Sequence, residues 1–358
     1  MRLAERFSFA GTYRVQSAVR GLPSRLEGRW IEPGHGDADS ALVNCHLFAH
    51  PLWIGGQEVT LRPALVSKRE GAFGNEPDIL YKLSNFAPAP GCVGMTTNVV
   101  DVAKARLNWR SRAPHVRALL GSETVEQVHE LIGPIETVVA NEYFVHEAGH
   151  CLGYPTDRKY AQGYFRPAGQ LLWPLVHLEE FRADLLSFGI AVDALPRERA
   201  VATFLYNVLL RLGVHVEAKS AVEEAPYGPI PHLLITLLQE IGWVEIEQTQ
   251  GVLHLGSLRT NDILQVMRTC SAHAASSLVE PELNCVSPID AALVAARYFR
   301  RRMGAASVDA FEEVSVRSAA RVGRGLANEH VVHRRSRCRP RTSNSSRRLG
   351  GIRLKAAT

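Results

Sequence analysis

The chain of 358 residues lacks several patterns that would assign it to a functional class directly. It has no segment approaching the roughly 18 consecutive apolar residues that span a membrane, no phosphate-binding glycine loop and no GxSxG nucleophile motif. Its first residues, MRLAERFSFAG, contain no apolar stretch of signal-peptide length. We therefore expect a globular protein of the cytoplasm that does not enter a membrane.

Cysteine pairs at metal-binding spacing are also missing. The six cysteines are Cys45, Cys92, Cys151, Cys270, Cys285 and Cys338. They are scattered without a CxxC pair, and this pattern is more typical of reduced thiols than of a disulfide framework or a cysteine-rich zinc site.

An excess of positive charge is absent from most of the chain. Residues 321–358 contain ten Arg, one Lys and one Glu and carry +10, so residues 1–320 carry −5 of the formal net charge of +5. The stretch 313–358 is poor in apolar residues and cannot offset the entropy of ordering by burial. We predict a disordered basic tail over 313–358. A tether for nucleic acid or an acidic partner is its less favoured function, because the interleaved aromatic residues of single-strand binders are missing.

What the sequence does contain is a short motif at residues 146–150, HEAGH. Positions i and i+4 of a helix project from the same face, so the two imidazoles can bind one tetrahedral metal ion. Glu147 would then lie beside the open coordination position, where it can accept a proton from water activated by zinc. The run 135–152 has apolar residues at helical spacing and is closed by Gly153 and Pro155. The motif therefore predicts a zinc site on the last turns of a helix.

A second segment, 173–186 (WPLVHLEEFRADLL), offers a third ligand and is predicted to be a largely buried helix. Carboxylates inside an apolar run are costly unless they are paired or bound to metal. Glu180 and Asp184 are four residues apart and share a face, so one can bind the metal while the other accepts the second ring N–H of a histidine ligand. Glu179 has Ala183 at the corresponding position, so we favour Glu180 as the ligand.

Together the two segments resemble the gluzincin metallopeptidases, which combine HExxH with a downstream helix carrying ExxxD or ExxxE. The resemblance covers roughly Ile135 to Ile190 and implies a zincin-like fold with Zn²⁺ as cofactor. Carried onto this sequence, it implies the metal ligands His146, His150 and Glu180, the general base Glu147, and Asp184 as the residue that orients the first histidine.

The segment 179–184, EEFRAD, is also similar to the EECRAE segment of the dipeptidyl peptidase III family, in which the second glutamate is the zinc ligand. That family has a six-residue HExxGH motif and a longer gap between the two motifs, whereas this chain has the five-residue form. The resemblance on which the prediction rests is therefore the broader one, to the gluzincins.

Other residues compete for roles in this site. Cys151 lies about 100° around the helix from His150 and is predicted to be a core residue. His177 is either a further ligand or a residue that lines the same helix face, and the ligand set is complete without it. The donor for a developing oxyanion stays open among Tyr143, Tyr154, Tyr160, Tyr164, His232 and His254. We prefer Tyr154 and Tyr160, because they lie in the connection between the two helices.

The whole sequence predicts an α+β protein in three parts. Residues 1–95 form a β-containing region, residues 96–312 a predominantly helical zinc domain, and residues 313–358 the tail. Helices are predicted near 102–120, 122–132, 135–152, 174–192, 196–214, 228–242, 260–278 and 288–302, with a short strand at 251–255. A hairpin around Gly55-Gly56 in 52–61, or the stretch 93–100, could offer a strand edge to an extended peptide.

These patterns predict a zinc metallopeptidase acting on a peptide or small amide substrate. Two alternatives stay open. One is a zinc hydrolase that acts on a small molecule such as a biosynthetic intermediate, and the other is a non-catalytic protein with a structural zinc and a partner-binding tail. The oligomeric state does not follow from the sequence.

Overall fold

A computed structural model gives the fold of the chain. It describes residues 6–11, 24–30, 42–44, 58–70, 80–82, 96–150, 164–213, 227–304, 306, 308–317 and 320–322, and up to residue 100 the description concerns the backbone alone. Two of the six cysteines fall in these ranges, and both, Cys270 and Cys285, are free thiols.

The N-terminal part forms a mixed sheet of six strands. The strands are β1 (Arg6–Gly11), β2 (Ser24–Trp30), β3 (Leu42–Asn44), β4 (Glu58–Glu70), β5 (Leu80–Lys82) and β6 (Thr96–Asp101). Their order is β1-β2-β4-β6-β5, and β3 pairs with the beginning of β4. β4 and β6 are parallel, and the other pairs are antiparallel. The sheet therefore passes the predicted boundary at residue 95 and ends at Asp101.

The predicted strand edges differ from the observed pairing. Residues 52–57 lie outside the described residues, so the first arm of the predicted hairpin is not described. Residues 58–61 belong to the longer β4, which pairs with β3 over 58–60 and with β6 over 59–64. β6 itself lies between β4 and β5. Within the described strands, residues 59–60 of β4 and residues 98–100 of β6 are therefore paired on both sides.

Helices dominate the described chain after Asp101. They are α1 (Val102–Leu120), α2 (Ser122–Ile132), α3 (Ile135–His150), α4 (Trp173–Ala194), α5 (Arg197–Leu212), α6 (Ile230–Glu240), α7 (Thr260–Ala274), α8 (Glu280–Leu283) and α9 (Pro288–Met303). A hairpin of β7 (Val244–Glu247) and β8 (Val252–Leu255) follows α6. The predicted helices are confirmed, except that the one at 260–278 is divided by a π-helical turn at Ala275–Val279.

Local sequence explains several of these boundaries. The Asp101 side chain accepts a hydrogen bond from the Lys104 backbone N–H at 3.3 Å and caps α1. Ser287 caps α9 in the same way through the Asp290 N–H at 3.1 Å. Gly121 has φ +77°, a conformation that favours glycine, and it separates α1 from α2.

Helix α4 is the centre of the helical part. It contacts α3, α5, α6, α7 and α9, and its side chains Phe181, Leu185 and Leu186 are completely buried. A helix that is enclosed on all sides has no solvent-facing stripe, so Arg182 and Asp184, which are also completely buried, must find their partners inside the protein.

Helical structure continues beyond the predicted start of the tail. Residues 308–317 are helical, and Val308, Phe311 and Val314 are completely buried. Arg321 donates hydrogen bonds to the carbonyl oxygen of Ala118 on α1, at 3.0 Å, and to those of Gln250 and Gly251 in the loop between β7 and β8. Residues 323–358 lie outside the described residues, and a disordered tail there stays a prediction. Within the described part of the chain, no helix is long and apolar enough to cross a membrane.

The burial of the 308–317 segment can be tested by one substitution. Phe311→Ala is expected to lower the free energy of unfolding by about 3–5 kcal/mol, because it leaves a cavity in the core. Val316→Ala in the same segment is the control, since Val316 is 58% exposed and its truncation should cost less than about 0.5 kcal/mol. Equal unfolding midpoints in urea for the two variants would contradict this packing.

Candidate metal centre

Three side chains from α3 and α4 converge at one point. The two histidine Nε2 atoms, of His146 and His150, lie 3.1 Å apart. Glu180 Oε2 lies 3.3 Å from His146 Nε2 and 3.7 Å from His150 Nε2. These residues form one of two groups in the described chain whose geometry could hold a metal ion. The structure thus brings together the three ligands predicted from sequence.

The separations match the size of a zinc ion. Nitrogen and oxygen ligands lie about 2.0–2.1 Å from zinc, so neighbouring ligands at tetrahedral angles are about 3.3–3.4 Å apart. The three observed separations, 3.1, 3.3 and 3.7 Å, bracket this value. The triad therefore fits a tetrahedral ion with one position left for another group.

The opposite ring nitrogens are held by carboxylates. His146 Nδ1 lies 2.9 Å from Asp184 Oδ1, and His150 Nδ1 lies 2.9 Å from Glu179 Oε1. Because ionised carboxylates only accept hydrogen bonds, both Nδ1 atoms carry the proton, and in the neutral rings both Nε2 atoms present lone pairs. Asp184 is thus the partner of His146, as predicted. The sequence analysis does not predict Glu179 as the partner of His150.

Three lone pairs that face one another require a positive charge between them. Glu180 Oε2 is buried and has no hydrogen-bond partner. Burial lowers the pKa of His146, but its hydrogen bond to Asp184 and the nearby Glu180 carboxylate outweigh burial and raise the pKa to about 10. Burial raises the pKa of Glu180, and the two histidines lower it to about 2. A proton on one nitrogen satisfies one neighbour, whereas a metal ion satisfies all three.

Asp184 is held from the side opposite to His146. Arg211 Nε donates to Asp184 Oδ2 and Arg211 Nη2 to Asp184 Oδ1, both at 2.8 Å. Asn207 Nδ2 donates to Asp184 Oδ1 at 2.9 Å. Burial raises the pKa of Asp184, but the Arg211 guanidinium and the bond to His146 hold it well below its usual range. The carboxylate is therefore ionised and fixed in orientation.

Glu179 is held by an equivalent clamp. Arg182 Nη2 donates to Glu179 Oε2, and Arg182 Nη1 donates to Glu282 Oε2. Tyr164 donates to the other oxygen of Glu282 at 2.5 Å. Glu282 lies on α8, directly after the π-helical turn. Both histidines thus have a carboxylate that is itself fixed by an arginine.

This network carries an excess of negative charge. Within the described residues that it links, the carboxylates are Glu142, Glu179, Glu180, Asp184 and Glu282, and the guanidinium groups are Arg182 and Arg211. With both histidines neutral, as metal ligands are, the excess is three negative charges, or two if Glu142 is protonated, since burial raises the pKa of Glu142. Uncompensated buried charge is strongly unfavourable, so a divalent cation suits the triad electrostatically.

The second group with metal-binding geometry consists of Glu142, His146 and Asp184. Its oxygens already have partners, because Asn207 Nδ2 bridges Glu142 Oε1 and Asp184 Oδ1, each at 2.9 Å, and Arg211 binds Asp184. The group therefore supports His146 from behind and is a poor metal site.

Gly149 sets how closely α3 approaches α4. An ideal Cβ on Gly149 would lie 2.5 Å from the carbonyl oxygen of Ala183, a distance that side chains do not tolerate. The glycine in the motif therefore lets the two helices touch directly. That contact brings the histidines of α3 within reach of the carboxylates of α4.

Tyr227 completes the surroundings of the triad and was not predicted from the sequence. Its hydroxyl lies 3.5 Å from His146 Nε2 and interacts electrostatically with the Glu180 carboxylate. Its ring packs under Arg211, with Cζ 4.2 Å from the ring centroid. Burial and the neighbouring Glu180 carboxylate raise the pKa of Tyr227 well above its usual value, so the phenol stays protonated.

Other predicted residues lie elsewhere or are not described. The Glu147 side chain, Cys151, Tyr154 and Tyr160 lie outside what the structure describes. His177 stacks on Trp173, with ring centroids 5.6 Å apart, and is not part of the triad. The remaining donor candidates are placed as follows: Tyr164 bonds Glu282, His232 packs on Phe311, His254 pairs with Glu247 and Tyr143 packs against the core.

Two solved structures match most of this chain. Dipeptidyl peptidase III from Caldithrix abyssi matches 86% of this chain and 58% of its own, at 12% identity and a TM-score of 0.56. The enzyme from Corallococcus sp. strain EGB matches 87% of this chain and 61% of its own, at 13% identity and a TM-score of 0.47. This chain thus spans about three fifths of their length. No protein-family model and no curated protein matches it.

The triad can be tested by metal analysis. We expect about one zinc per chain in the wild type and a large loss in His146→Ala and Glu180→Ala, because three protein ligands are needed to hold the ion. His177→Ala is the matched control, since this residue lies on α4 outside the triad, and it should keep its zinc. Elemental analysis after metal loading and desalting measures the content, and zinc retained by all three variants would rule out this site.

The helix contact can be tested at Gly149. Gly149→Ala is expected to lower the free energy of unfolding by about 1–3 kcal/mol, as overpacked residues do, and to weaken zinc binding because α3 moves away from Glu180. Urea unfolding of the metal-free protein and zinc titration measure the two effects separately. A variant with wild-type stability and zinc affinity would show that the helices do not meet here.

Proposed function

We propose that this protein is a zinc-dependent metallopeptidase with a zincin-like site, in which His146, His150 and Glu180 hold the metal. The observation that carries the proposal is the convergence of three metal-binding atoms on one point, with both histidines fixed by carboxylates. Catalytic zinc sites have three protein ligands and one open position, whereas structural sites fill all four positions. The likeness to a peptidase fold supports the same assignment.

The residues have distinct roles in this proposal. Zinc, when bound, acts as a Lewis acid that lowers the pKa of water and polarises a carbonyl group. Glu147, adjacent to His146 in the chain, accepts a proton from water and returns it to the leaving amine. Asp184 and Glu179 keep the Nδ1 protons of the two rings, so that both Nε2 atoms remain available to the metal.

The sheet supplies a candidate edge for the peptide. β4 contacts α3. β6 pairs with one side of β4 as far as Ala64. At residues 65–70, β2 pairs with the opposite side of β4, and the described strands leave the side of β6 unpaired. An extended peptide could pair with this side through main-chain hydrogen bonds. This side of β4 is a further candidate beside the stretches 52–61 and 93–100 predicted from the sequence.

Removal of the proposed base tests the function. Glu147→Gln is expected to lower kcat by at least about 100-fold, because an amide cannot accept the proton, and to leave the zinc content unchanged. Glu130→Gln, an exposed position on α2, is the matched control and should behave as wild type. Turnover of a peptide library by zinc-loaded protein measures the effect, and full activity in Glu147→Gln would contradict the mechanism.

Two further outcomes separate the alternatives. Cleavage of small amides or esters without cleavage of any peptide would identify a small-molecule hydrolase. A protein that loses thermal stability on chelation, and has no hydrolytic activity when loaded, would contain a structural zinc.

A further inference from the structure

We propose that Tyr227 is the catalytic hydrogen-bond donor of this site, positioned to bind the substrate carbonyl oxygen as negative charge develops on it. The inference rests on the proposed function and adds a residue to it. Tyr227 forms no covalent bond in this role, and its proton stays on the phenol.

The position of the hydroxyl supports this role. The hydroxyl lies 3.5 Å from His146 Nε2 and interacts with the Glu180 carboxylate, and both of these residues belong to the triad. The hydroxyl therefore borders the point where the three metal-binding atoms converge. An oxygen atom that occupied the open position of the site would be within reach of it.

The surroundings also hold the ring in place. The Arg211 guanidinium lies over its face at 4.2 Å, and the same guanidinium binds Asp184 through two hydrogen bonds. The Tyr227 carbonyl oxygen accepts the Ile230 N–H at 3.2 Å in the turn before α6. One arginine thus orients both the partner of His146 and the phenol. Preorganised donors of this kind contribute most to transition-state stabilisation.

Two other assignments for Tyr227 predict different behaviour. A phenolate ligand would fill the position that a catalytic zinc keeps open, so its loss would weaken metal binding. A purely structural tyrosine would affect stability without separating kcat from KM. The donor role alone predicts a lower kcat with zinc retained.

The experiment compares zinc-loaded, full-length wild type with Tyr227→Phe. We expect kcat for the best-cleaved peptide to fall about 100-fold, as for other oxyanion donors, while KM and zinc content stay close to wild type. Tyr298→Phe is the matched control, because Tyr298 loses a comparable hydrogen bond, to His273 Nε2 at 2.9 Å, outside the triad. Unchanged kcat in Tyr227→Phe, or loss of its zinc, would overturn the proposal.

A second variant distinguishes the hydrogen bond from packing. Tyr227→His keeps an N–H donor and is expected to retain more of kcat than Tyr227→Phe. An equal loss in the two variants, with melting temperatures close to that of wild type, would assign the effect to the shape of the ring and overturn the donor role.

A measurement without turnover separates this inference from the proposed function. If the zinc-loaded wild type cleaves no peptide, the proposed function fails, and acetohydroxamate binding by calorimetry then tests Tyr227. This small zinc ligand presents an oxyanion at the metal, so its affinity should fall in Tyr227→Phe and not in Tyr298→Phe. Equal affinities in both variants would overturn the role of Tyr227.

Discussion

The negative charge buried on α4 is the constraint on which the rest of the site depends. The helix carries three carboxylates, Glu179, Glu180 and Asp184, in the interior of the helical domain. Charges in such a place are stable only when paired and hydrogen-bonded. Glu179 and Asp184 have arginine partners. Glu180 Oε2 instead faces two histidine nitrogens, and this oxygen has no hydrogen-bond partner. The charge that completes the arrangement is the one a divalent metal ion brings.

Rigidity is the second property of the centre. Each imidazole is fixed by a carboxylate, and each carboxylate by an arginine, so the orientation of both rings is set by groups two contacts away from the metal-binding atoms. This arrangement raises ligand basicity and defines the tautomer. It also links distant parts of the chain, because Arg211 comes from α5 and Glu282 from the segment after the π-helical turn. The candidate metal centre and the core of the helical domain therefore depend on one another.

Much of this was predictable because it is local. Helix α3 follows from apolar spacing, and the positions of His146 and His150 follow from its pitch. Glu180 and Asp184 were found because they share a face of α4. Glu179 was passed over because its i+4 neighbour is Ala183, and a comparison within one helix cannot show that a histidine of another helix approaches it. The π-helical turn had no clear sequence signal, since its residues fit an ordinary helix.

Side-chain chemistry and helical pitch are local properties, so the amino-acid pattern alone shows which residues can bind a metal and which of them share a helical face. How the two faces meet depends on packing between helices. The direct contact at Gly149 and Ala183 places one helix against the other. Tyr227 reaches the triad from 77 positions after His150, and Glu282 reaches Arg182 across a separation of 100 residues. Such contacts depend on packing between distant segments, which no local pattern encodes.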